Sequence, residues 1–186
     1  VSKQDLQVRE DSGVSQGDTP PRSSQPKLAE KFYPHIFEIS MGVGRTFFAM
    51  IDATLKKEVR GAEEQWNLDL PLAVAPYLVG VFPLMKKDGL YEKAFGLFHK
   101  LQASNIPTLF DEKGSIGKRY ARMDEIGVPY AITVDYDTMD EKSKQFNTVT
   151  LRERNSMKQK RAPIEALEEI FWNFSTGKKS FEDLED

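Results

Sequence analysis

Three cations followed by two carboxylates, within residues 114–127, have the types and spacing to contact a nucleic acid. Lysine and arginine bind phosphates, and a carboxylate accepts a hydrogen bond from the exocyclic amino group of a base. On a short helix the cations would be arranged around one face. A solvated, salt-bridged surface helix has the same composition and stays open as the alternative. The candidate contact residues are Lys118, Arg119, Arg122, Asp124 and Glu125.

Glycines at both ends of this stretch predict where its helix begins and ends. Gly114 and Gly117 indicate a tight turn, because a residue without a Cβ tolerates positive φ and a close approach of other backbone. Gly127 has the residue type that most often follows the C-terminus of a helix. The charged side chains are therefore expected to project from one short helix that starts at a glycine turn.

A second candidate site is a glycine turn that joins a predicted strand, residues 31–39, to a predicted helix that ends near residue 57. This arrangement brings backbone amides and the helix dipole close to a bound phosphate. Glu38 and Ser40 are two residues apart and would share one face of the strand. A glycine turn alone is a weak signal, so a plain structural turn stays open. Apolar residues at helical spacing predict that the helix packs on a sheet: Phe47, Phe48, Ile51 and Leu55.

A third charged stretch begins at Arg152, where five basic residues surround a single acid, Glu153. Its cations are Arg152, Arg154, Lys158, Lys160 and Arg161. This composition fits a contact with phosphates, and it fits a solvated sheet edge equally well.

The composition allows one core of ordinary size plus flanking segments and is compatible with a reducing cytosol. The chain has 186 residues, of which 39% are hydrophobic, with a formal net charge of −3, so any basic surface must be local. The absence of cysteine excludes disulfides and thiolate metal sites. No carboxylate near either histidine has a spacing that indicates a metal site. No apolar run approaches the roughly 20 residues of a membrane span.

Hydrophobic periodicity predicts alternating strands and helices after residue 70. A polar connector is expected over 58–70, then a buried strand within 72–84 that starts near Tyr77. The remaining predicted elements are a helix to 104, strands at 106–111 and 128–135, a charged hairpin loop at 137–145, a strand at 146–151, a helix at 163–174 and a frayed acidic tail at 176–186. The helix to 104 has a buried stripe at Leu90, Ala94, Leu97, Phe98 and Leu101.

The three charged stretches, in this order, resemble glycyl-tRNA synthetases of the archaeal and eukaryotic type. Gly-Ser-Ile-Gly-Lys-Arg-Tyr-Ala-Arg-Met-Asp-Glu-Ile-Gly, at 114–127, is similar to the signature of their C-terminal anticodon-binding domain. Glu-Ile-Ser-Met-Gly-Val-Gly-Arg, at 38–45, is similar to motif 3 of class II synthetases in its glycine-specific form, with Ile39 where the family has proline. Residues 150–159 resemble the family's Thr-Leu-Arg-Asp-Arg-Asp-Ser-Met-Arg-Gln, with Glu153 and Asn155 as departures. The resemblance covers residues 32–175.

The resemblance implies a role for each candidate residue. Glu38 and Ser40 would hold glycine, while Arg45, with Gly42 and Gly44, would bind ATP, whose phosphates carry Mg²⁺. No catalytic residue is assigned and no metal ligand is expected from the protein. The implied anticodon contacts are Lys118, Arg119, Arg122, Asp124, Glu125, Arg152 and Arg154.

The resemblance also implies a fold and a domain division. We expect a mixed, mostly parallel five-stranded sheet flanked by helices, preceded by the last strand and helix of a catalytic domain. The expected divisions are a disordered linker at 1–30, the end of the catalytic domain at 31–70, the anticodon-binding domain at 71–175 and the acidic tail at 176–186.

The function implied is that of the C-terminal part of a glycine–tRNA ligase. Its partners would be a glycine tRNA, with glycine and ATP in the full enzyme, which would form a homodimer through the catalytic part. The other two class II motifs do not occur in this sequence, so we expect this chain alone to bind neither ATP nor Mg²⁺ and to be inactive. Two alternatives stay open: a stand-alone nucleic-acid-binding or polymerase-accessory module, and a structural subunit that pairs with a separate catalytic chain.

Overall fold

A computed structural model describes residues 34–60 and 63–184, which belong to two units divided between Ser40 and Met41. In the first unit, residues 34–40 form neither helix nor strand, and their side chains are exposed. The strand predicted at 31–39 is therefore wrong over its described part, and Glu38 and Ser40 do not lie on a strand. A strand needs a hydrogen-bonded neighbour, and no described residue supplies one. The linker predicted at 1–30 lies outside the described residues.

The second unit begins with helix α1 (Val43–Thr54) and a hairpin of strands β1 (Leu55–Arg60) and β2 (Glu63–Leu68). The hairpin replaces the predicted helix end at residue 57 and the predicted polar connector at 58–70. Antiparallel pairing of Leu55 with Leu68 starts its register. On α1, Phe47 and Phe48 are 60% and 73% exposed, so the expected packing of this helix on a sheet is not seen among the described residues.

The hairpin exposes apolar side chains on one face and buries a polar side chain on the other, the opposite of the usual arrangement. Because Lys57 pairs with Trp66, these residues share one face with Val59, and that face is exposed: Val59 is 73% and Trp66 is 49% accessible. Asn67, on the opposite face, is only 2% exposed and its Nδ2 donates to Glu58 at 3.3 Å. The hairpin packs beside the third helix of the unit through strand β2.

A five-stranded mixed sheet forms the centre of the second unit, and this confirms the predicted fold class. Its strands are β3 (Val79–Pro83), β4 (Thr108–Phe110), β5 (Tyr130–Val134), β6 (Thr148–Glu153) and β7 (Gln159–Pro163). Their spatial order is β4-β3-β5-β6-β7. The pairs of β3 with β4 and β5 are parallel, and the two pairs made by β6 are antiparallel, so parallel pairing is half of the total.

Four helices accompany this sheet in the described part of the chain: α2 (Leu90–Ala103), α3 (Ile116–Glu125), α4 (Tyr136–Met139) and α5 (Leu167–Ser175). The predicted helix ending at 104 is confirmed, as is its buried stripe apart from the half-buried Phe98. The expected loop at 137–145 begins inside α4. The predicted helix at 163–174 instead starts with a 3₁₀ turn, Ile164–Ala166, and the basic stretch after residue 152 contains the unpredicted strand β7.

The chain moves from β3 to β4 on one side and then back across β3 to β5 on the other. Right-handed crossovers therefore place α2 and α3 on opposite faces of the sheet. Leu97 of α2 and Phe171 of α5 belong to the larger core, while Met123 of α3 packs with Phe82 and Ala131 in a smaller core on the other face. The site residues on α3 are thus carried by a helix that has its own apolar anchor.

The C-terminal segment is part of the core. Phe181 is 1% exposed, and its ring centroid lies 6.4 Å from that of Tyr130 in a stacked orientation. A 3₁₀ turn, Phe181–Asp183, holds it in place, and Ser180 and Asp183 cap that turn reciprocally. The frayed tail predicted from the acidic composition is therefore wrong for the described residues up to 184, because one aromatic side chain anchors it.

Replacing Phe181 tests this anchor. We expect Phe181→Ala to lower the free energy of unfolding by about 3–5 kcal/mol, because it leaves a cavity in a closed core. Urea unfolding followed by circular dichroism measures the change. Trp172→Ala is the matched control: this ring is 63% exposed on α5, and its loss should change stability by no more than about 0.5 kcal/mol. Equal losses in both variants would contradict the anchoring role.

Candidate nucleic-acid interface

Helix α3 carries the first group of predicted site residues and has the glycine ends that its sequence indicates. Gly114, in the turn before it, has φ of +77°, and Gly127, after it, has φ of +81°. A Cβ on Gly127 would lie 2.7 Å from Leu70 Cδ1, so both conformation and space require glycine there. Gly117 was expected in the turn, but it lies within α3 and has no positive φ.

One face of α3 presents an exposed charged stripe. Lys118, Arg122 and Glu125 are spaced at i, i+4 and i+7, which places them along one side of a helix over about 10 Å. Lys118 and Glu125 are exposed, and the Arg122 side chain is 42% exposed although its Nε donates to Asp111 Oδ2 at 2.8 Å. No ion pair joins Lys118 or Glu125 to another residue in the described ranges. Lys118 and Glu125 are therefore free to meet a ligand, whereas Arg122 can do so with the donors that Asp111 and the Lys113 carbonyl do not use.

Arg119 points the other way, into the protein. It is 4% exposed, and its guanidinium donates to the carbonyls of Pro83 and Gly114, the latter at 2.8 Å. Burial lowers its pKa, with the Asp111 carboxylate acting in the opposite direction. The side chain therefore joins the end of β3 to the glycine turn, and no part of it lies on the surface that the sequence predicted.

Asp124 and Arg152 form a buried ion pair between α3 and β6. Two hydrogen bonds of 3.0 Å join the guanidinium to both carboxylate oxygens, and the two side chains are 1% and 7% exposed. The guanidinium also stacks over the Tyr120 ring at 4.7 Å, while the Tyr120 hydroxyl lies 2.7 Å from Thr133 Oγ1. Burial raises the pKa of Tyr120. The expected accessible carboxylate at 124 is thus engaged inside the fold.

Arg154 holds the segment that enters the sheet. The Arg154 side chain is 4% exposed. Its guanidinium donates hydrogen bonds to Gly127 O at 2.9 Å, Asp69 Oδ1 at 2.7 Å and Leu70 O at 3.2 Å. Lys56 of the hairpin donates to the other oxygen of Asp69 at 2.5 Å. The Lys56 hydrogen bond lowers the pKa of Asp69 against the raising effect of burial, helped by Asn155 and Arg154. Arg154 and Asp69 together form a clasp between hairpin, connector and sheet.

The predicted contact residues consequently lie at two opposite edges of the sheet. Lys118 and Arg122 project near the carboxyl ends of the parallel strands, because α3 starts from the turn that follows β4. Arg152 pairs with Ala131, close to the amino end of β5, so it lies at the other edge with Arg154. The structure therefore does not assemble all seven residues into one exposed patch.

The carboxyl edge of the parallel strands also collects polar groups that the sequence reasoning missed. Ligands of open α/β sheets bind at this edge, where neighbouring crossovers diverge. Lys86 bridges to Glu112 at 2.9 Å and links the loops after β3 and β4, while Lys87 and Lys113 have no ion-pair partner among the described residues. The sequence could have indicated these residues, because the ends of the strands predicted at 106–111 and 128–135 locate the carboxyl edge.

Arg161 of β7 completes this edge. Its guanidinium approaches Asp135 at 2.9 Å, and Thr150 donates to the same carboxylate at 3.1 Å. Asp135 also caps α4 through the backbone amide of Thr138. Burial raises the pKa of Asp135, but the hydrogen bonds from Arg161 and Thr138 outweigh it and the pKa is lowered. The basic stretch around Arg161 thus orders the end of β5.

Residues 34–60 and 63–184 include no group of three or more histidine, cysteine or carboxylate side chains that could hold a metal ion. Within the same ranges, none of the helices has the length and apolar character needed to cross a membrane.

Comparison with known proteins identifies the sheet and its helices. The family model described as the anticodon binding domain matches residues 78–173, which is just over half of the chain. The chain belongs to this family. The anticodon-binding domain therefore contains the α3 stripe, the five-stranded sheet and five of the six arginines discussed here. The sixth, Arg45, lies before its first residue.

Curated relatives of the anticodon-binding domain and its preceding segment are glycine–tRNA ligases. The proteins from Ureaplasma urealyticum serovar 10 and Clostridium acetobutylicum are 42% and 43% identical over 74% and 77% of this chain, and that from Methanococcus vannielii is 40% identical over 74%. The chain covers 28%, 29% and 22% of these proteins, less than a third of their length. These similarities confirm the resemblance to a glycyl-tRNA synthetase C-terminal region.

A solved structure, the RNA binding domain of threonyl-tRNA synthetase from Cryptosporidium parvum Iowa II, matches with a TM-score of 0.49 and 18% identity. The match covers 56% of this chain and 25% of that one. The domain boundary expected between residues 70 and 71 stays a prediction.

Breaking the Asp124–Arg152 pair tests its structural role. Arg152→Ala should lower the free energy of unfolding by about 3–5 kcal/mol, because it leaves a buried carboxylate without its guanidinium. The double variant Asp124→Leu with Arg152→Met removes both charges and should recover most of that loss. Urea unfolding measures both. A double variant no more stable than the single one would contradict the interpretation.

Acidification tests the clasp around Asp69. Because its pKa is lowered below the ordinary 3.8, its stabilisation is complete above that value and is lost as the pH falls through the lowered pKa. Asp69→Asn should therefore be less stable than the wild type at neutral pH and lose less stability below about pH 4. Thermal unfolding between pH 7 and pH 2 measures this. Asp52→Asn, an exposed change on α1, should run parallel to the wild type.

Proposed function

We propose that the chain is the C-terminal part of a cytoplasmic glycine–tRNA ligase and that its anticodon-binding domain reads the anticodon loop of a glycine tRNA. The observation that carries this proposal is the family match at residues 78–173, joined with about 40% identity to glycine–tRNA ligases. All the curated relatives reported above are ligases, so no observation favours a stand-alone accessory module.

The segment before the hairpin would belong to the catalytic part of the complete enzyme. There Glu38 and Ser40 would hold glycine, and Arg45, with Gly42 and Gly44, would bind ATP, whose Mg²⁺ neutralises phosphate charge. An arginine suits this role because its planar fork engages two phosphate oxygens. We propose that adenylation, and dimer formation with a second copy, take place in the complete ligase.

The exposed stripe on α3 is the surface proposed to meet the anticodon loop. Lys118 and Arg122 would bind phosphates or base edges, and Glu125 would accept a hydrogen bond from the N4 amino group of a cytosine. Glycine anticodons share two cytosines, so a carboxylate near the cations matches the ligand. Unstacked loop bases expose these edges to protein side chains.

The four buried residues of the predicted set are proposed to position this surface. Arg119 holds the turn from which α3 starts, and the Asp124–Arg152 pair fixes the inner side of the same helix. Arg154 fixes Gly127, just after its C-terminus. Apart from Arg119 Nε, their charged groups are hydrogen-bonded within the protein, so a direct contact with RNA would cost those bonds.

Binding to two transcripts tests the proposal: a glycine tRNA, and the same tRNA with both anticodon cytosines changed. The wild-type chain should lose about 1–3 kcal/mol of binding free energy per changed base. Lys118→Ala should weaken both transcripts by the same factor and reduce the salt dependence, because it removes one phosphate contact. Glu125→Gln should reduce the discrimination between the two transcripts.

Lys178→Ala is the matched control, since this exposed lysine follows α5 and lies outside the stripe. Its affinity and salt dependence should equal those of the wild type. Equal, salt-sensitive binding of both transcripts by the wild-type chain would leave only a basic surface and would contradict anticodon reading.

A further inference from the structure

An aromatic side chain stands exposed at the carboxyl edge of the sheet and has no role in the core. Tyr136 is the first residue of α4, directly after β5, and 45% of it is accessible. The other tyrosines next to this sheet, Tyr120 and Tyr130, are buried or largely covered, and Tyr130 packs among three phenylalanine rings. The position of Tyr136 therefore calls for a separate explanation.

The Tyr136 ring is fixed in place from both ends. Its hydroxyl donates to Asp88 Oδ2 at 3.1 Å, in the loop after β3, and lies 3.5 Å from Met85 Sδ. Its backbone is held by the cap of α4, where Asp135 accepts from the Thr138 amide at 3.1 Å. A ring that is ordered before binding loses little conformational entropy when a ligand stacks on it.

The surroundings of the ring match the chemistry of an unpaired nucleotide. Met85 and Met139 are 45% and 38% exposed, so polarisable thioether side chains accompany the ring. Lys87, in the same loop as Met85, is exposed and has no ion-pair partner in the described part of the chain. An aromatic face with a nearby cation is the combination by which proteins bind single-stranded bases and their phosphates.

The surface around Tyr136 adjoins the proposed RNA surface on α3. Leu84 N donates to Val134 O at 2.8 Å, so the loops after β3 and β5 leave the sheet side by side. The Lys86–Glu112 bridge then joins the loop after β3 to the turn that precedes α3. The turn before Lys118, the loop after β3 and the start of α4 at Tyr136 thus lie at the same edge of the sheet, because β4, β3 and β5 are neighbours.

We propose that Tyr136 is a stacking platform for one unpaired base of the anticodon loop, with Lys87 bound to an adjoining phosphate. This rests on the proposed function, because the partner is the same RNA. The ring adds affinity that is tolerant of base identity, since every base has a π face, while the α3 stripe supplies the discrimination.

Two substitutions at Tyr136 separate stacking from hydrogen bonding. Tyr136→Ala should weaken binding of the glycine tRNA transcript by about 5- to 150-fold, as expected for loss of one stacked base. Tyr136→Phe keeps the ring and should remain within about threefold of the wild type. Tyr77→Ala is the matched control, because this tyrosine is 36% exposed before β3 and away from the carboxyl edge. Thermal unfolding verifies that each variant is folded.

A fluorescent base gives a second readout. With 2-aminopurine placed in turn at each position of the anticodon loop, the wild-type chain should quench one position on binding, and Tyr136→Ala at saturating concentration should not. Retained affinity and retained quenching in a folded Tyr136→Ala variant would overturn the platform while the wild type still discriminated the two transcripts. If the wild-type chain bound the two transcripts equally, the proposed function would be overturned instead. That comparison uses no Tyr136 variant, so the two failures are distinguishable.

Discussion

Buried guanidinium groups set the geometry of this domain. Removing an arginine from water is costly unless its donors meet acceptors inside the protein, and an unpaired partner left behind is costlier still. Arg152 and Arg154 meet this condition with backbone carbonyls or carboxylates from distant parts of the chain. Arg119 meets it through both terminal nitrogens, although its buried Nε has no partner among the described residues. Since the acceptors must lie where the rigid fork can reach them, the two ends of α3 and the end of β6 are held in one arrangement.

Because of this constraint, buried and exposed charged side chains have different roles. The arginines that hold α3 are inside, whereas the side chains free to meet a ligand are on its outer stripe and on the loops at the carboxyl edge. A chain with a net charge of −3 can present a local cationic surface in this way, because many of its carboxylates are engaged with cations elsewhere. The surface is therefore small, and its position depends on the buried pairs.

The sequence predicted the elements whose signals are local. The periodic stripe of α2, the apolar run of β5 and the glycine after α3 were all readable within a few residues. The burial of Arg152 was not, because its partner Asp124 lies 28 residues away and charge alone does not reveal pairing. The anchoring role of Phe181 was also missed. The acidic composition of its neighbours predicted a frayed tail, but the packing of this segment depends on the single buried ring of Phe181.

The hairpin was missed for a different physical reason. Its apolar residues, such as Val59 and Trp66, face outward, so alternation of polar and apolar side chains did not mark a buried strand. In the candidate site, the residue types of the α3 stripe were predicted from sequence, but the division of the set into outer and inner members needed the direction in which each side chain leaves the helix.

The clasp between Arg154 and Asp69 bears on how short a piece of this chain can stand alone. The family model starts at residue 78, yet Arg154, well inside it, depends on a carboxylate at 69 and a carbonyl at 70. A truncation at the family boundary would leave a buried cation facing empty space. The smallest autonomous unit is thus defined by the reach of one side chain, and it begins upstream of the domain that sequence comparison delimits.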